Sequence, residues 1–198
     1  MSGDRHSLGF PGVASELLRV GLFDHFGWTV AVTATAAGDV VDRRRIELVE
    51  PGLSPAPVHY DADGLDDTGL AALIADVRAS VERCSATAFA ELEAALPGRI
   101  GSVALRRWPA DFPTDLATLR RAPYESRADA VMYRQEIARV AQGCGWTVTP
   151  FDAKAVLTVA AERLGPRTDD VLDGPRLRLG PPWTKDHRVA LAAAIVSD

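Results

Sequence analysis

What most constrains this chain is the order in which its hydrophobic patterns change period. Val20-Gly21-Leu22-Phe23 is a compact apolar run closed by Asp24, and His25-Phe26-Gly27 can turn the chain. Thr29 to Thr35 is rich in β-branched residues, which pack well on a pleated surface. Ala37-Gly38-Asp39 reads as a second tight turn. From Val40 to Glu50 the residues alternate, with Arg45, Glu47 and Val49 on one side and Ile46 and Leu48 on the other. Three such runs joined by short turns predict an antiparallel meander.

After a proline-bearing loop over 51–67, the period becomes helical. Leu70, Leu73, Ile74, Val77 and Val81 recur at spacings of three and four, predicting a helix from Leu70 to Leu96 with Thr68 as its cap and Pro97-Gly98 as its stop. Ile100 to Leu105 is a short apolar strand closed by Arg106-Arg107-Trp108-Pro109, and 109–123 is irregular or partly helical. A helix follows from Ser126, where Ser126 and Asp129 suit a capping arrangement, to Gly143. Trp146 to Phe151 is a fifth strand, and Ala153 to Leu164 a third helix. Arg167 to Pro182 is a connector, and Asp186 to Val196 the final helix. Strands that return to a sheet through helical crossovers lie parallel, with their helices on the faces. The expectation is an α/β fold: a five-stranded mixed sheet, three antiparallel strands then parallel ones, flanked by helices. Residues 1–17 read as an arm and 18–198 as one domain.

Charge narrows the function classes. The net charge of −5 argues against a protein that coats nucleic acid through bulk charge, yet the basic residues are lopsided. Only Lys154 and Lys185 are lysines. Arg106, Arg107, Arg120, Arg121, Arg127 and Arg134 crowd one third of the chain, and Arg43, Arg44 and Arg45 form a second cluster. Each cluster is either a local phosphate-binding strip or a solvated face. No stretch approaches the ~18 apolar residues of a membrane span, and the first ten residues lack a signal-peptide core, so a cytoplasmic protein without a membrane partner is expected. Cys84 and Cys144 make no metal or disulfide framework and are read as reduced. Phosphate-loop, dinucleotide-glycine and zinc patterns are absent from the sequence.

Three places could carry chemistry. Asp24 ends what should be a central strand, where a carboxylate must leave the sheet or be paired. The segment from Trp183 to Arg188 presents an indole, a hydroxyl, Lys185, Asp186, His187 and a guanidinium at the entry of the last helix; its bland reading is an ordinary helix start capped by Thr184. Tyr124, Arg127 and Arg134 could grip a phosphate or stack on a base, or else form a salt-bridged helix face.

Val20 to Asp24 followed by a glycine turn and Thr29 to Val32, then Met132 to Ala141, Trp146 to Asp152 with Lys154, and Lys185 to Ala192, resemble the ribonuclease H-like superfamily, and within it the Holliday-junction resolvase (RuvC-like) branch. The resemblance implies a three-layer ribonuclease H-like fold and four carboxylates around two magnesium ions for phosphodiester hydrolysis. Asp24 falls on the first acid position and Asp186 on the first of two in the final helix; Val189 stands at the second, and Arg106 and Arg107 stand where the fourth-strand acid is expected. Asp111, Glu125, Asp129 and Asp152 are the spare acids that could complete such a site. The expected catalytic residues are Asp24, Asp186 and His187, with Asp24 and Asp186 holding Mg²⁺. Lys185, Arg106, Arg107, Tyr124, Arg127, Arg134 and Trp183 are the expected phosphate or nucleic-acid contacts. Three functions stay open: a module that binds nucleic acid, a protein partner or a second copy without catalysis; a magnesium-dependent nuclease; and a nucleotide or small-molecule site in the same cleft. All three assume that Asp24 and Asp186 look into a common hollow.

Overall fold

A computed structural model describes residues 17–197; the expected arm falls almost wholly outside the described residues. The strands are β1 (Leu18–His25), β2 (Trp28–Ala34), β3 (Val40–Glu47), β4 (Ile100–Arg106) and β5 (Thr147–Phe151). The helices are α1 (Asp67–Ala95), α2 (Leu116–Leu119), α3 (Glu125–Gly143), α4 (Val156–Leu164), α5 (Thr168–Leu172), α6 (Pro175–Leu179) and α7 (Lys185–Val196). The sheet runs in the order β3-β2-β1-β4-β5. β1–β2 and β2–β3 are antiparallel, whereas β1–β4 and β4–β5 are parallel, so the predicted mixed sheet is present.

Successive side chains of a strand point to opposite faces, and β1 displays this plainly. Val20 and Leu22 pack with Val77, Val81 and Phe89 of α1 and Tyr133 and Ile137 of α3. Gly21, between them, faces α7. A β-carbon there would lie 1.8 Å from the carbonyl oxygen of Ala190 and 2.9 Å from the nitrogen of Ala194. The missing side chain therefore lets α7 lie directly on the central strand. The alanine run Ala192-Ala193-Ala194 has the same use: with Val30, Val32 and Ala104 from the sheet it forms the second core, joined by Val156 and Ala160 of α4. Helices on both faces of one sheet make three layers.

Several local expectations change. The cap of α1 is Asp66, not Thr68: its carboxylate accepts the Gly69 N–H at 2.7 Å from an extended backbone. Among the described residues no side chain caps α3, and Ser126 and Asp129 do not form a capping arrangement. Asp129 lies buried in the second turn, where it accepts the N–H groups of Val58 (3.1 Å) and His59 (2.9 Å). It thereby ties the helical turn Pro57–Asp61, within the expected loop, onto α3. The connector before α7 carries α5 and α6.

Candidate nucleic-acid interface at the strand ends

The alternation that places Val20 and Leu22 against α1 and α3 places Asp24 on that same face. It is 2% exposed, so its charge must be matched from within. Arg106, at the end of the parallel neighbour β4, supplies a fork: Nε donates to Oδ1 at 2.7 Å and Nη2 to Oδ2 at 2.7 Å. Nη2 also donates to the carbonyl oxygen of Asp24. Arg134, midway along α3, donates from Nε to Oδ2 at 3.0 Å. The Arg106 guanidinium lies 4.7 Å over the ring of Phe23, which points to the other face, so this side chain wraps around the strand end. Burial lowers the pKa of Arg134, with the Asp24 charge opposing that shift. Two guanidinium ions share one carboxylate, and the group carries excess positive charge.

Beside this cluster is a hollow of about 480 Å³, bordered by Arg106, Arg107, Trp108, Arg134, Asp152 and Lys154. It sits past the carboxyl ends of the parallel strands β4 and β5, the place where open α/β sheets put ligands. Arg107 and Lys154 are exposed at its rim. A second hollow of about 430 Å³ adjoins it and shares Arg106 and Arg134, with Phe23, Asp24, His25 and Phe26 in its wall.

Asp186 belongs to the other face. His25 follows Asp24 in β1 and so points oppositely; its Nε2 lies 3.1 Å from Oδ2 of Asp186. The His25 ring stacks on Trp28 at 4.0 Å, and the Arg45 guanidinium lies 3.8 Å over the same indole. These three residues stand on β1, β2 and β3 in turn. Asp24 and Asp186 are thus not brought into a common hollow, because consecutive residues of one strand hold them on opposite sides of the sheet.

His187 acts as part of the α7 cap. Its Nδ1 accepts the Thr184 N–H at 3.2 Å and lies 2.9 Å from the Thr184 hydroxyl. Burial first, and then the charge of Arg43, lower its pKa. Trp183 is 9% exposed and donates its indole N–H to the carbonyl of Leu172 at 2.8 Å, so it is a packing residue rather than an open stacking platform. Lys185 is exposed in the first turn of α7. Tyr124 meets Phe112 edge-on at 5.7 Å, and the Arg127 guanidinium lies 5.7 Å over that same ring, both apart from the basic hollow. Of the spare acids, Glu125 pairs with His59 and Asp129 holds backbone amides. Burial raises the Asp129 pKa to about 6. Asp111 is exposed. Asp152 borders the hollow, with Oδ1 accepting the Lys154 N–H at 2.8 Å.

These donors do not fit a magnesium ion at Asp24. Mg²⁺ takes an octahedron of oxygens, mostly carboxylate and water. Both Asp24 oxygens already face guanidinium groups, whose positive charge repels a divalent cation. Among the described residues no three His, Cys, Asp or Glu side chains are grouped for a metal. Two contributors to the sites escaped sequence reasoning: His25, and Trp108 in the wall of the basic hollow. The signal for each was positional. His25 is the first residue past Asp24 on the opposite parity, and Trp108 follows a strand end beside a parallel neighbour.

No family profile matches the sequence, nor does any curated protein. Among solved structures, the chain is similar to Thermus thermophilus RuvC, with 12% identity, 90% of this chain and 92% of that one covered, and a TM-score of 0.50. It is also similar to T. thermophilus RuvC in complex with a Holliday junction substrate, with 11% identity, 90% of each chain covered and a TM-score of 0.49. At such identity the likeness establishes the fold: this is a ribonuclease H-like fold of the RuvC type.

Proposed function

We propose that the chain is a nucleic-acid-binding module without nuclease activity, contacting its partner through the basic hollow past β4 and β5. The observation that carries this reading is the pairing of Asp24 with Arg106 and Arg134. The carboxylate that the resemblance assigns to a metal is neutralised by arginines, and those same arginines border an open hollow with Arg107 and Lys154 beside them. Guanidinium groups suit phosphate, which they can contact through two parallel N–H donors. Trp108 adds an indole that an unpaired base could meet.

The test is equilibrium binding of fluorescent single-stranded, duplex and four-way-junction DNA over a salt series, with the DNA analysed for cleavage in Mg²⁺ and Mn²⁺. Binding at low salt without cleavage is expected. With four cationic side chains engaged on a single strand, log affinity should fall against log salt with a slope of about −3. No binding of any of these DNAs near ~50 mM salt, where phosphate contacts are strong, overturns the reading. Metal-dependent cleavage that Asp24→Asn abolishes replaces it with the nuclease reading.

A further inference from the structure

Resting on that reading, we infer that Asp24 is a positioning residue which holds Arg106 and Arg134 as a metal-independent clamp for one phosphate group of a nucleic-acid strand. Each arginine spends only part of its donor set on Asp24. Arg106 uses Nε and Nη2 and Arg134 uses Nε, while no hydrogen bond among the described residues engages Arg106 Nη1 or the two terminal nitrogens of Arg134. Both residues line both hollows. A carboxylate fixed on one edge of each guanidinium removes its freedom to swing, and the other edges are left for an incoming anion. Pre-ordering donors in this way lowers the entropy cost of binding.

Charge points the same way. One buried negative charge against two positive ones leaves an unmatched cation, and with Arg107 and Lys154 beside it the hollow stays net positive even when Asp152 at its border is counted. A phosphate diester, with one negative charge and two free oxygens, supplies the missing charge and accepts the spare N–H groups. A divalent cation would worsen the imbalance. The cluster thus performs with guanidinium what a metal would do for a phosphate's charge.

The test compares binding of a fluorescent single-stranded DNA in EDTA and in Mg²⁺, for the wild type, Arg106→Gln, Arg134→Gln and Asp24→Asn, with folding of each variant checked by its melting curve. Wild-type affinity should be undiminished in EDTA. Arg134→Gln and Arg106→Gln should each bind about tenfold more weakly, with the salt slope shallower by about 1. Asp24→Asn is the discriminating variant. It removes a negative charge from the site, so simple electrostatics would tighten binding, whereas loss of the clamp's orientation weakens it about fivefold. Binding that requires Mg²⁺, wild-type affinity in both arginine variants, or affinity at or above wild type in Asp24→Asn overturns the clamp while leaving nucleic-acid binding in place. A parallel thermal-shift titration with inorganic phosphate against chloride at equal ionic strength separates the two claims. If the wild type binds no DNA but phosphate raises its melting temperature and Arg134→Gln abolishes that rise, the clamp stands and the nucleic-acid reading falls. If neither ligand binds, both fall.

Discussion

Asp24 and His25 are neighbours in sequence, yet they anchor two regions of opposite character. On the α3 face, a buried carboxylate holds two arginines, and positive charge is in excess. On the α7 face, Asp186 meets His25 at 3.1 Å, with side chains 27% and 34% exposed. The first buries its carboxylate and is charged beyond balance; the second is open to solvent, and among the described residues its acid hydrogen-bonds His25 alone. The difference teaches that a strand end is not one site. The pleat sends the side chains of its last two residues opposite ways, although His25 also borders the smaller hollow beside Asp24; the α3 face is the one where a single buried carboxylate holds two guanidinium groups.

Removing the anchor on the charged side should have the largest effect. Asp24→Ala leaves two half-buried guanidinium groups beside each other without their counter-charge. Breaking a buried pair in this way costs about 3–5 kcal/mol, because the surviving charge stays desolvated. Urea unfolding of wild type and variant at pH 7 measures it. A cost below ~1 kcal/mol, the level of an exposed pair, would show that the arginines swing to solvent freely and would erase the distinction between the two faces.

The second prediction uses pH to loosen the start of α7, read at its own amides because Asp129 on α3 also titrates near pH 6. Burial and Arg43 hold the folded-state pKa of His187 below its ordinary 6.5, while the unfolded chain keeps the ordinary value. The folded state therefore binds its proton less readily than the unfolded state. The stability from neutral His187 is complete above pH 6.5 and is lost as pH falls toward the depressed value. Protonation also ends the acceptor role of Nδ1 toward the Thr184 N–H. The start of α7 should weaken in mild acid by about 1 kcal/mol, the usual worth of a helix cap. Amide exchange of Lys185 to Arg188, compared at about pH 7.5 and about pH 5 on either side of the ordinary histidine range, with the intrinsic rates divided out, reads this. His187→Gln should remove the extra acid sensitivity. Equal acid response in that variant would assign the effect to another group.

The fold was legible because its patterns are long and their order is restrictive. An apolar run, a β-branched run and an alternating run joined at Gly27 and Gly38, followed by strands separated by helical stripes, leave few arrangements. The site was legible in part. Asp24, Arg106 and Arg134 were each singled out, and the need to pair a carboxylate in a central strand followed from its apolar surroundings. That the two arginines reach Asp24 was hidden, since 82 and 110 positions separate them from it in the chain. The assumed meeting of Asp24 with Asp186 was testable by counting: Val20, Leu22 and Asp24 share one parity. If the first two pack under α1 and α3, the third cannot look toward α7. Capping assignments failed for a different reason. Asp66 and Thr68 both suit a helix start, and only backbone geometry chooses between them.

The smallest effect should come from Asp186→Ala. Its pair with His25 is about one-third exposed on either side, and exposed pairs contribute roughly 0–1 kcal/mol. Asp186 also stands in the first turn of α7, where a negative charge meets the helix dipole for roughly another 0.3–1 kcal/mol. His25 would keep its stacking on Trp28, and the capping box between Thr184 and His187 uses neither carboxylate oxygen of Asp186. One further consequence runs through His187, because the Asp186 charge is what opposes the lowering of its pKa. Without that charge the pKa should fall further, so the acid weakening of α7 should move to lower pH. Urea unfolding at neutral pH should show a loss of about 1 kcal/mol or less. DNA affinity should stay within about twofold of wild type, since Asp186 faces away from the basic hollow and a distant surface charge shifts binding little. An order-of-magnitude change in affinity from this variant would mean that both sides of the sheet meet the same nucleic acid, and the separation of the strand end into two regions would fail at its functional level even if the stability difference held.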